Sequence, residues 1–336
     1  MKLLLAAGVC GAAILTVSSL SGLQEVSMNM SNKNQTAFAQ STSANTMYTL
    51  SVESYQGIWG WCLRQLCSIE NNKVPGWKYQ YTVKEKTFSC TVWQNNYEDN
   101  TYAMILSGTD ECLVEDMLTT YFPMMAQEDR CFQLDKTIEE TKKMGEKYNK
   151  QIDKLYISGY SLGGYLSNYL AMELVDGEQY DSEITVKDIG DNLKIDNVFC
   201  YSYAAPGLYA ERFKWEEQNA NWVPIPQWVQ DKLDRNAAGN YEGVIKNYKN
   251  NKDPVANVSD IAAANGARLK LKSVGKVYTT DPPASMLEKN IMLKKLINAK
   301  MKILGIKINP THLAYHAPDV YYGSIAKIEA QKQNVV

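Results

Sequence analysis

The stretch LYISGYSLGGYL, from Leu155 to Leu166, places a serine between two glycines where an apolar run gives way to a helical pattern. Gly159, Ser161 and Gly163 spell G-x-S-x-G, and leucines then recur at every fourth position, as on one face of a helix. A strand that turns sharply into a helix holds the residue between them in a strained conformation, with its side chain above the sheet. The stretch therefore predicts a strand, a tight elbow and a helix, with Ser161 presented as a nucleophile.

The residues around the serine suit this elbow. The residues two before and two after the turn crowd each other, which favours glycine at positions 159 and 163. The helix that begins after Ser161 directs its unpaired N–H groups and the positive end of its dipole at the serine, where an oxyanion would form. A Gly-Ser turn without chemistry would also explain the glycines, so the interpretation depends on a base and an acid elsewhere in the chain.

Candidates for both groups follow the serine in sequence. The only two histidines, His312 and His316, lie well beyond Ser161. In doubly wound hydrolases the order is serine, acid, histidine, with the acid and the histidine on loops after later strands. Asp253, in NNKDPVANV, directly follows a predicted strand and precedes a proline that stops it. The other acids in a suitable position are Asp260, Asp281 and Asp319.

The rest of the chain alternates strand patterns with helix patterns. Two alternating segments separated by two residues predict a hairpin, and later apolar runs that end near glycine predict buried strands. Segment 135–154 predicts a charged helix with an apolar stripe of Ile138, Met144, Tyr148 and Ile152. The fold class expected is α/β, with a mostly parallel central sheet, helices on both faces and an antiparallel front end. The predicted strands lie in residues 78–85, 88–95, 101–107, 154–158, 195–207, 241–255 and 275–280.

Several separate segments resemble the class 3 lipases of the α/β-hydrolase superfamily. The elbow of that family reads G-H-S-L-G-G, and here it is GYSLGG, with Tyr160 in place of the histidine. The family's oxyanion strand ends in R-G-T or S-G-T, matched by ILSGTD with Thr109, and the strand after the elbow helix ends in APG, as in YSYAAPG. The acid lies in a D-P-V segment, matched at Asp253, and the base in an H-x4-Y segment, matched from His316 to Tyr321.

The resemblance covers roughly residues 85–325 and implies an α/β-hydrolase fold with a role for each matched residue. Ser161 would attack an ester carbonyl, His316 would act as the base, and Asp253 would orient it. The backbone N–H groups of Leu162 and Thr109 would bind the oxyanion.

Two features of this assignment stay open. His312 is the alternative base, and the spacing to Tyr321 favours His316. The interval between Ser161 and Asp253 is long and predicts an insertion at about 211–242, which contains Trp215, Trp222 and Trp228. These tryptophans either cover an acyl chain, as a cap, or pack against one another.

The activity expected is that of a secreted serine ester hydrolase, a lipase or esterase that forms an acyl-enzyme and needs no cofactor. One alternative is another acyl substrate on the same triad, such as a phospholipid or a thioester. The other is a catalytically silent, hydrolase-like protein that binds a surface, since fold does not fix function. The expected partner is an ester or lipid substrate, with transient contact to a lipid interface.

Residues 1–39 have the pattern of an export signal. Lys2 precedes the apolar stretch Leu3–Leu20, and Ala37 and Ala39 form an A-x-A cleavage site. The alternative is an uncleaved membrane anchor, since eighteen residues is near the lower limit for a span. With either a cleaved signal or an anchor, the protein should be secreted or held at the cell surface. Residues 21–46 are expected to be a disordered lead-in, and residues 40–336 to form a single domain.

The composition argues against other classes of partner. The net charge of −2, without a basic block, gives no indication of a nucleic-acid partner. Two histidines and the absence of C-x-x-C and H-E-x-x-H motifs argue against a catalytic metal. Six cysteines follow the signal and are either available for disulfides outside the cell or buried as small apolar residues, as expected for Cys200.

Overall fold

The structure, a computed structural model, describes the greater part of the chain after residue 43. The residues described are 44–53, 74–85, 88–107, 127–215, 226–253, 255–257, 261–262 and 267–281, with His316, Tyr321 and Ile325. All of them belong to the compact unit Ser43–Val336, and the unit Met1–Thr42 holds the remaining N-terminal residues. The predicted export signal therefore lies outside the described residues.

The described residues form four α-helices, two short 3-10 helices (Val186–Asp188 and Ile195–Asn197) and ten strands, and Tyr321 and Ile325 are also helical. The helices are α1 (Ala44–Glu53), α2 (Gln127–Lys147), α3 (Leu162–Asp176) and α4 (Gln227–Ala237). The strands are β1 (Trp77–Glu85), β2 (Phe88–Asn95), β3 (Thr101–Leu106), β4 (Lys154–Tyr160), β5 (Val198–Tyr203), β6 (Tyr209–Trp215), β7 (Ile245–Asn250), β8 (Ile261–Ala262), β9 (Ala267–Lys272) and β10 (Lys276–Thr280). None of these helices is long and apolar enough to span a membrane.

Seven strands form the central sheet, in the order β1-β2-β3-β4-β5-β7-β10. The pairs β1–β2 and β2–β3 are antiparallel, and every pair from β3 to β10 is parallel. The two predictions of a mostly parallel sheet and an antiparallel front end are both confirmed. Strand β4 lies at the centre and leads directly into α3, which is the arrangement of an α/β-hydrolase fold.

The two faces of the central sheet differ in composition. Leu155 and Ile157 of β4 belong to an aliphatic core that includes Leu166 and Leu170 of α3. The alternate residues of the same strands belong to a second core under α1, rich in aromatic side chains, which we call the tyrosine face. Its members include Tyr48, Tyr156, Tyr160, Tyr201, Tyr203, Tyr248 and Tyr321. Helices therefore cover both faces, and the residues that flank Ser161 are packed on each side.

Strand register builds part of the tyrosine face. Tyr203 lies opposite Tyr248, and Tyr248 lies opposite Tyr278, across three adjacent parallel strands. Their rings stack with centroids 5.3 Å and 5.2 Å apart. Such contacts contribute roughly 0.5–1.5 kcal/mol each beyond burial of the ring area. They join β5, β7 and β10 at the end of the sheet where Ser161 lies.

Two predicted boundaries are wrong. Helix α1 begins at Ala44, inside the segment expected to be disordered, because its residues pack on the tyrosine face; Met47, Tyr48 and Leu50 are at most 2% exposed. Helix α2 ends at Lys147, so Tyr148 and Ile152 do not extend its stripe. Asn149 and Lys150, which follow Tyr148, have φ of 52° and 54°, values that a right-handed helix cannot contain.

A second, three-stranded sheet was not predicted. Its order is β6-β9-β8, and β6 pairs antiparallel with β9. The predicted insertion at 211–242 contains most of β6 and all of α4, but β9 lies outside that range. The insertion therefore pairs with a later segment of the chain, and its role as a cap stays a prediction.

Two of the six cysteines after residue 39 are described in full. Cys90 and Cys200 are buried and carry free thiols. Cys200 is thus a small buried residue, as expected, and its thiol lies 3.4 Å from the main-chain oxygen of Ser167.

Candidate active site

Ser161 lies between β4 and α3 in a strained backbone conformation. Its φ of 57° and ψ of −121° place a residue with a side chain in the region that favours glycine. Such a conformation costs about 1–3 kcal/mol and persists only where the surroundings fix it. Here the Ser161 N–H donates to the Tyr203 carbonyl at 2.8 Å, and the Ser161 carbonyl accepts from the Tyr165 N–H at 3.1 Å. The elbow predicted from the sequence is present.

The two elbow glycines are required by close backbone approach. A Cβ on Gly159 would lie 2.3 Å from the carbonyl atoms of Gly163. A Cβ on Gly163 would lie 2.0 Å from the carbonyl oxygen of Leu106, at the end of β3. Neither neighbour is a flexible side chain, so nothing can move aside without separating α3 from the sheet.

Replacing Gly163 by alanine is expected to lower the free energy of unfolding by about 3 kcal/mol or more, because the methyl group collides with backbone. Urea unfolding followed by circular dichroism measures the change. Gly243→Ala is the matched control, since a Cβ there meets nothing within 4 Å; we expect a change of about 0.5 kcal/mol or less. Equal unfolding midpoints for the two variants would contradict the close approach.

Ser161, His316 and Asp253 form a continuous hydrogen-bonded row. The Nε2 atom of His316 is 2.9 Å from the Oγ of Ser161, and its Nδ1 atom is 2.8 Å from the Oδ2 of Asp253. The side chain of His316 is 17% exposed, and that of Asp253 is fully buried. His316 can therefore be reached from solvent, and Asp253 is shielded from it. In this geometry His316 can accept the serine proton at Nε2 while its Nδ1–H donates to the carboxylate.

The carboxylate of Asp253 accepts four hydrogen bonds. Its Oδ1 accepts from the backbone N–H groups of Val255 and Ala256, at 2.8 Å and 3.2 Å. Its Oδ2 accepts from His316 and from the hydroxyl of Tyr321, the latter at 2.5 Å. A buried carboxylate needs such donors to remain ionised. Because Oδ2 of Asp253 faces Nδ1 of His316 as an acceptor, the contact fits the Nδ1–H tautomer of His316.

Tyr321 is the second side chain that holds the acid. It is 1% exposed, and its hydroxyl also accepts the N–H of Asn250 at 3.0 Å. Burial raises the pKa of Tyr321 well above its ordinary value, and the adjacent charge of Asp253 raises it further. The hydroxyl therefore stays protonated and donates to the carboxylate.

Lys249 is a buried cation close to the acid. It is 7% exposed, and its Nζ donates to the main-chain oxygen of Ala256 at 2.5 Å, in the loop that carries Asp253. Burial lowers the pKa of Lys249 to about 8, and the charge of Asp253 opposes this shift. Below pH 8 the Lys249 ammonium is charged in both the folded and the unfolded state, and its burial there lowers the free energy of unfolding. The cost is relieved as the pH rises from about 8 towards the ordinary lysine value.

Lys249→Met is expected to abolish the rise in stability with pH that deprotonation of buried Lys249 causes. Between about pH 8 and pH 10 the parent should gain stability relative to the variant by up to about 1.4 kcal/mol per pH unit, because only unfolded Lys249 holds its proton there. Urea unfolding of both proteins across this range gives the difference. Burial raises the pKa of Cys90 to about 12 and also raises that of Cys200, which opposes the trend, but both thiols cancel in the comparison. A pH-independent difference would mean that Lys249 titrates normally.

The sequence did not indicate two of the contacts at the site. The hydroxyl of Tyr160 donates to the main-chain oxygen of His316, and that of Tyr321 donates to Asp253. The sequence indicated Tyr321 only by its spacing from His316, and Tyr160 only as a departure from the G-H-S-L-G-G pattern. Tyrosines at these positions were visible in the sequence, but the partner of each hydroxyl was not.

The other predicted site residues are placed as follows. Leu162 is the first residue of α3, where the N–H has no acceptor within the helix. Asp281 is exposed and accepts a hydrogen bond from Asn251 at 2.9 Å, so the structure brings Asp253, not Asp281, to His316. Thr109, His312, Asp260 and Asp319 lie outside the described residues. The part of the chain that the structure describes contains no cluster of three potential metal ligands.

Comparisons with known proteins give likenesses of fold only. No family model and no curated protein matches the sequence. Among solved structures, the chain is similar to M37 lipase, with a TM-score of 0.45, 15% identity, and coverage of 86% of this chain and 95% of that one. For a lipase from Rhizopus microsporus var. chinensis the TM-score is 0.40 and the identity 12%, with coverage of 69% of this chain and 78% of that one. For the extracellular lipase LipA from Serratia marcescens the TM-score is 0.42 and the identity 11%, with coverage of 84% of this chain and 50% of that one. At such values the activity of this chain has to be argued from its own site.

Proposed function

We propose that this chain is a serine ester hydrolase, a lipase or esterase, that acts through an acyl-enzyme. The observation that carries the proposal is the row Ser161–His316–Asp253, with contacts of 2.9 Å and 2.8 Å, built on a strained elbow. A nucleophilic serine requires a base in hydrogen-bond contact and a third group that orients the base. This row supplies all three groups in the order that acyl transfer uses.

In the proposed reaction, Oγ of Ser161 attacks the ester carbonyl carbon and its proton passes to Nε2 of His316. The negative charge on the carbonyl oxygen is stabilised by the N–H of Leu162 at the start of α3, with the N–H of Thr109 proposed as the second donor. His316 then gives its proton to the leaving alcohol, and the acyl group stays on Ser161. Water repeats the sequence with the same proton transfers and releases the carboxylic acid. Asp253 stabilises the imidazolium at both stages and takes up no proton.

The site of action that fits this activity is outside the cell, and we include export in the proposal. Its support is the sequence pattern of residues 1–39, with Lys2, the apolar stretch and the A-x-A site. The proposed substrate is a carboxylic ester or lipid, met in part at a lipid interface. No cofactor has a role in the proposed steps.

The test is the hydrolysis of p-nitrophenyl esters, from acetate to palmitate, by the purified protein and by its Ser161→Ala variant. We expect release of p-nitrophenol by the parent alone, and the dependence on chain length separates an esterase from a lipase. An organophosphonate probe should label the parent at Ser161. Labelling without ester hydrolysis would favour another acyl substrate, such as a phospholipid or a thioester. Absence of both would favour a silent, surface-binding protein and would overturn the proposal.

A further inference from the structure

Tyr160 connects the nucleophile to the backbone of the base. It is the last residue of β4 and directly precedes Ser161. Its side chain is 3% exposed, and its hydroxyl donates to the main-chain oxygen of His316, 156 positions later in the sequence. One residue therefore joins the rigid end of the central strand to the segment that carries the base.

The ring of Tyr160 packs against His316 and against Tyr321. Its centroid is 5.4 Å from that of the His316 ring and 5.7 Å from that of Tyr321, which it meets edge-on at 89°. Tyr321 in turn donates its hydroxyl to Asp253. Tyr160 thus contacts the base directly, and it contacts the acid through the tyrosine that holds the carboxylate.

This tether controls a degree of freedom that the row itself leaves open. The bonds to Ser161 and Asp253 fix the two ring nitrogens of His316, but neither bond fixes its main chain. Tyr160 and Ser161 are consecutive, so a bond from Tyr160 to the His316 carbonyl sets the base relative to the nucleophile. Misplacing a reacting group by 1 Å can cost about 10²-fold in rate.

We propose that Tyr160 is a positioning residue, whose hydroxyl holds His316 in register with Ser161 for proton transfer. The proposal rests on the proposed function, because it assigns His316 the role of base. The class 3 lipases, which the sequence resembles, have histidine at this elbow position, so a tyrosine hydroxyl in this place is a feature of this chain.

The test compares Tyr160→Phe with a matched control, Tyr203→Phe. Tyr203 is also buried on the tyrosine face, and its hydroxyl also donates to a main-chain oxygen, but that oxygen belongs to Ala44 in α1. Each variant loses one buried tyrosine hydrogen bond, worth about 1 kcal/mol. The two should therefore lose similar stability, which separates the positioning role from a structural one.

The first measurement is ester hydrolysis per active site, with active sites counted by organophosphonate titration. We expect Tyr160→Phe to lower kcat about tenfold or more with KM unchanged, because only the alignment of the base changes. Tyr203→Phe removes only the hydroxyl and leaves the Tyr203 main-chain carbonyl that accepts the Ser161 N–H, so this variant should keep the parent kcat. Equal kcat values for the parent and both variants would overturn the proposal.

The second measurement needs no activity. The chain has two histidines, so proton NMR of histidine-labelled protein, assigned with His316→Ala, isolates the Nδ1–H of His316 bonded to Asp253. We expect a downfield, slowly exchanging signal in the parent and in Tyr203→Phe, and broadening or loss in Tyr160→Phe. If the parent hydrolyses no ester but the signal responds in this way, the proposed function fails and the tether stands. A signal unchanged in Tyr160→Phe would overturn the tether.

Discussion

Replacing His316 by alanine should lower kcat for ester hydrolysis about 10⁶-fold, and adding Ser161→Ala to this variant should lower it no further. In the proposed mechanism Ser161 and His316 act as one unit, because the Oγ of Ser161 is activated only through its 2.9 Å contact with Nε2. Once that contact is gone, the remaining rate comes from oxyanion stabilisation and substrate binding, which neither substitution touches. The measurement is single-turnover release of p-nitrophenol by the two single variants and the double variant.

The control for this prediction is His312→Ala. His312 is the other histidine of the chain, and the sequence left it open as the base. We expect its variant to keep the parent kcat and the parent rate of organophosphonate labelling. Loss of activity in His312→Ala with retention in His316→Ala would reverse the assignment. Additive losses in the double variant would mean that the two residues do not act together.

Short-range features of the site could be predicted from the sequence because they depend on neighbouring residues. The apolar run LYIS, the glycines at 159 and 163 and the leucine stripe that follows together specify a strand, a tight turn and a helix. The backbone approach that makes Gly159 necessary lies within that turn, whereas Gly163 is required by the end of β3, which is distant in sequence. The order serine, acid, histidine then limited the candidate acids and bases for Ser161 to a few aspartates and two histidines. Among these, the structure brings together Asp253 and His316.

Long-range contacts could not be predicted in this way. Whether the Tyr160 hydroxyl reaches the carbonyl of His316 depends on how the sheet places two segments 156 residues apart. Helix α1 was missed for a related reason. Ser51 lies on its buried side and bonds to Ser158 at 2.8 Å, so a polar residue interrupts the stripe that would have indicated a helix.

The small sheet shows a different kind of omission. Leu269 and Leu271 of β9 alternate with basic residues in ARLKLK, which is the period of a strand. That signal was present in the sequence. Its partner β6 begins at Tyr209, 58 residues before β9 begins at Ala267, and pairing over that distance leaves no local pattern. Strand propensity could therefore be read, but the sheet could not.

The second large effect is expected for Asp253→Asn, which should lower kcat about 10⁴-fold while leaving substrate binding intact. All four contacts of the carboxylate are donors: two backbone N–H groups at Oδ1, and His316 with Tyr321 at Oδ2. An asparagine amide has to place its NH₂ group against one of these pairs. The backbone donors cannot reverse, so the NH₂ group is directed to the Oδ2 side.

There the imidazole of His316 can accept the new donor only by giving up its proton at Nδ1. That tautomer carries its proton at Nε2, where it cannot take the proton of Ser161. Asp176→Asn is the matched control. Asp176 is also buried and also accepts a tyrosine hydroxyl, that of Tyr241 at 2.9 Å, but it lies at the far end of α3. Both variants should lose about 1–3 kcal/mol of stability from mispaired polar atoms, measured by urea unfolding. Only Asp253→Asn should lose the rate, and comparable losses of kcat in the two variants would mean that stability, not the tautomer of His316, limits catalysis.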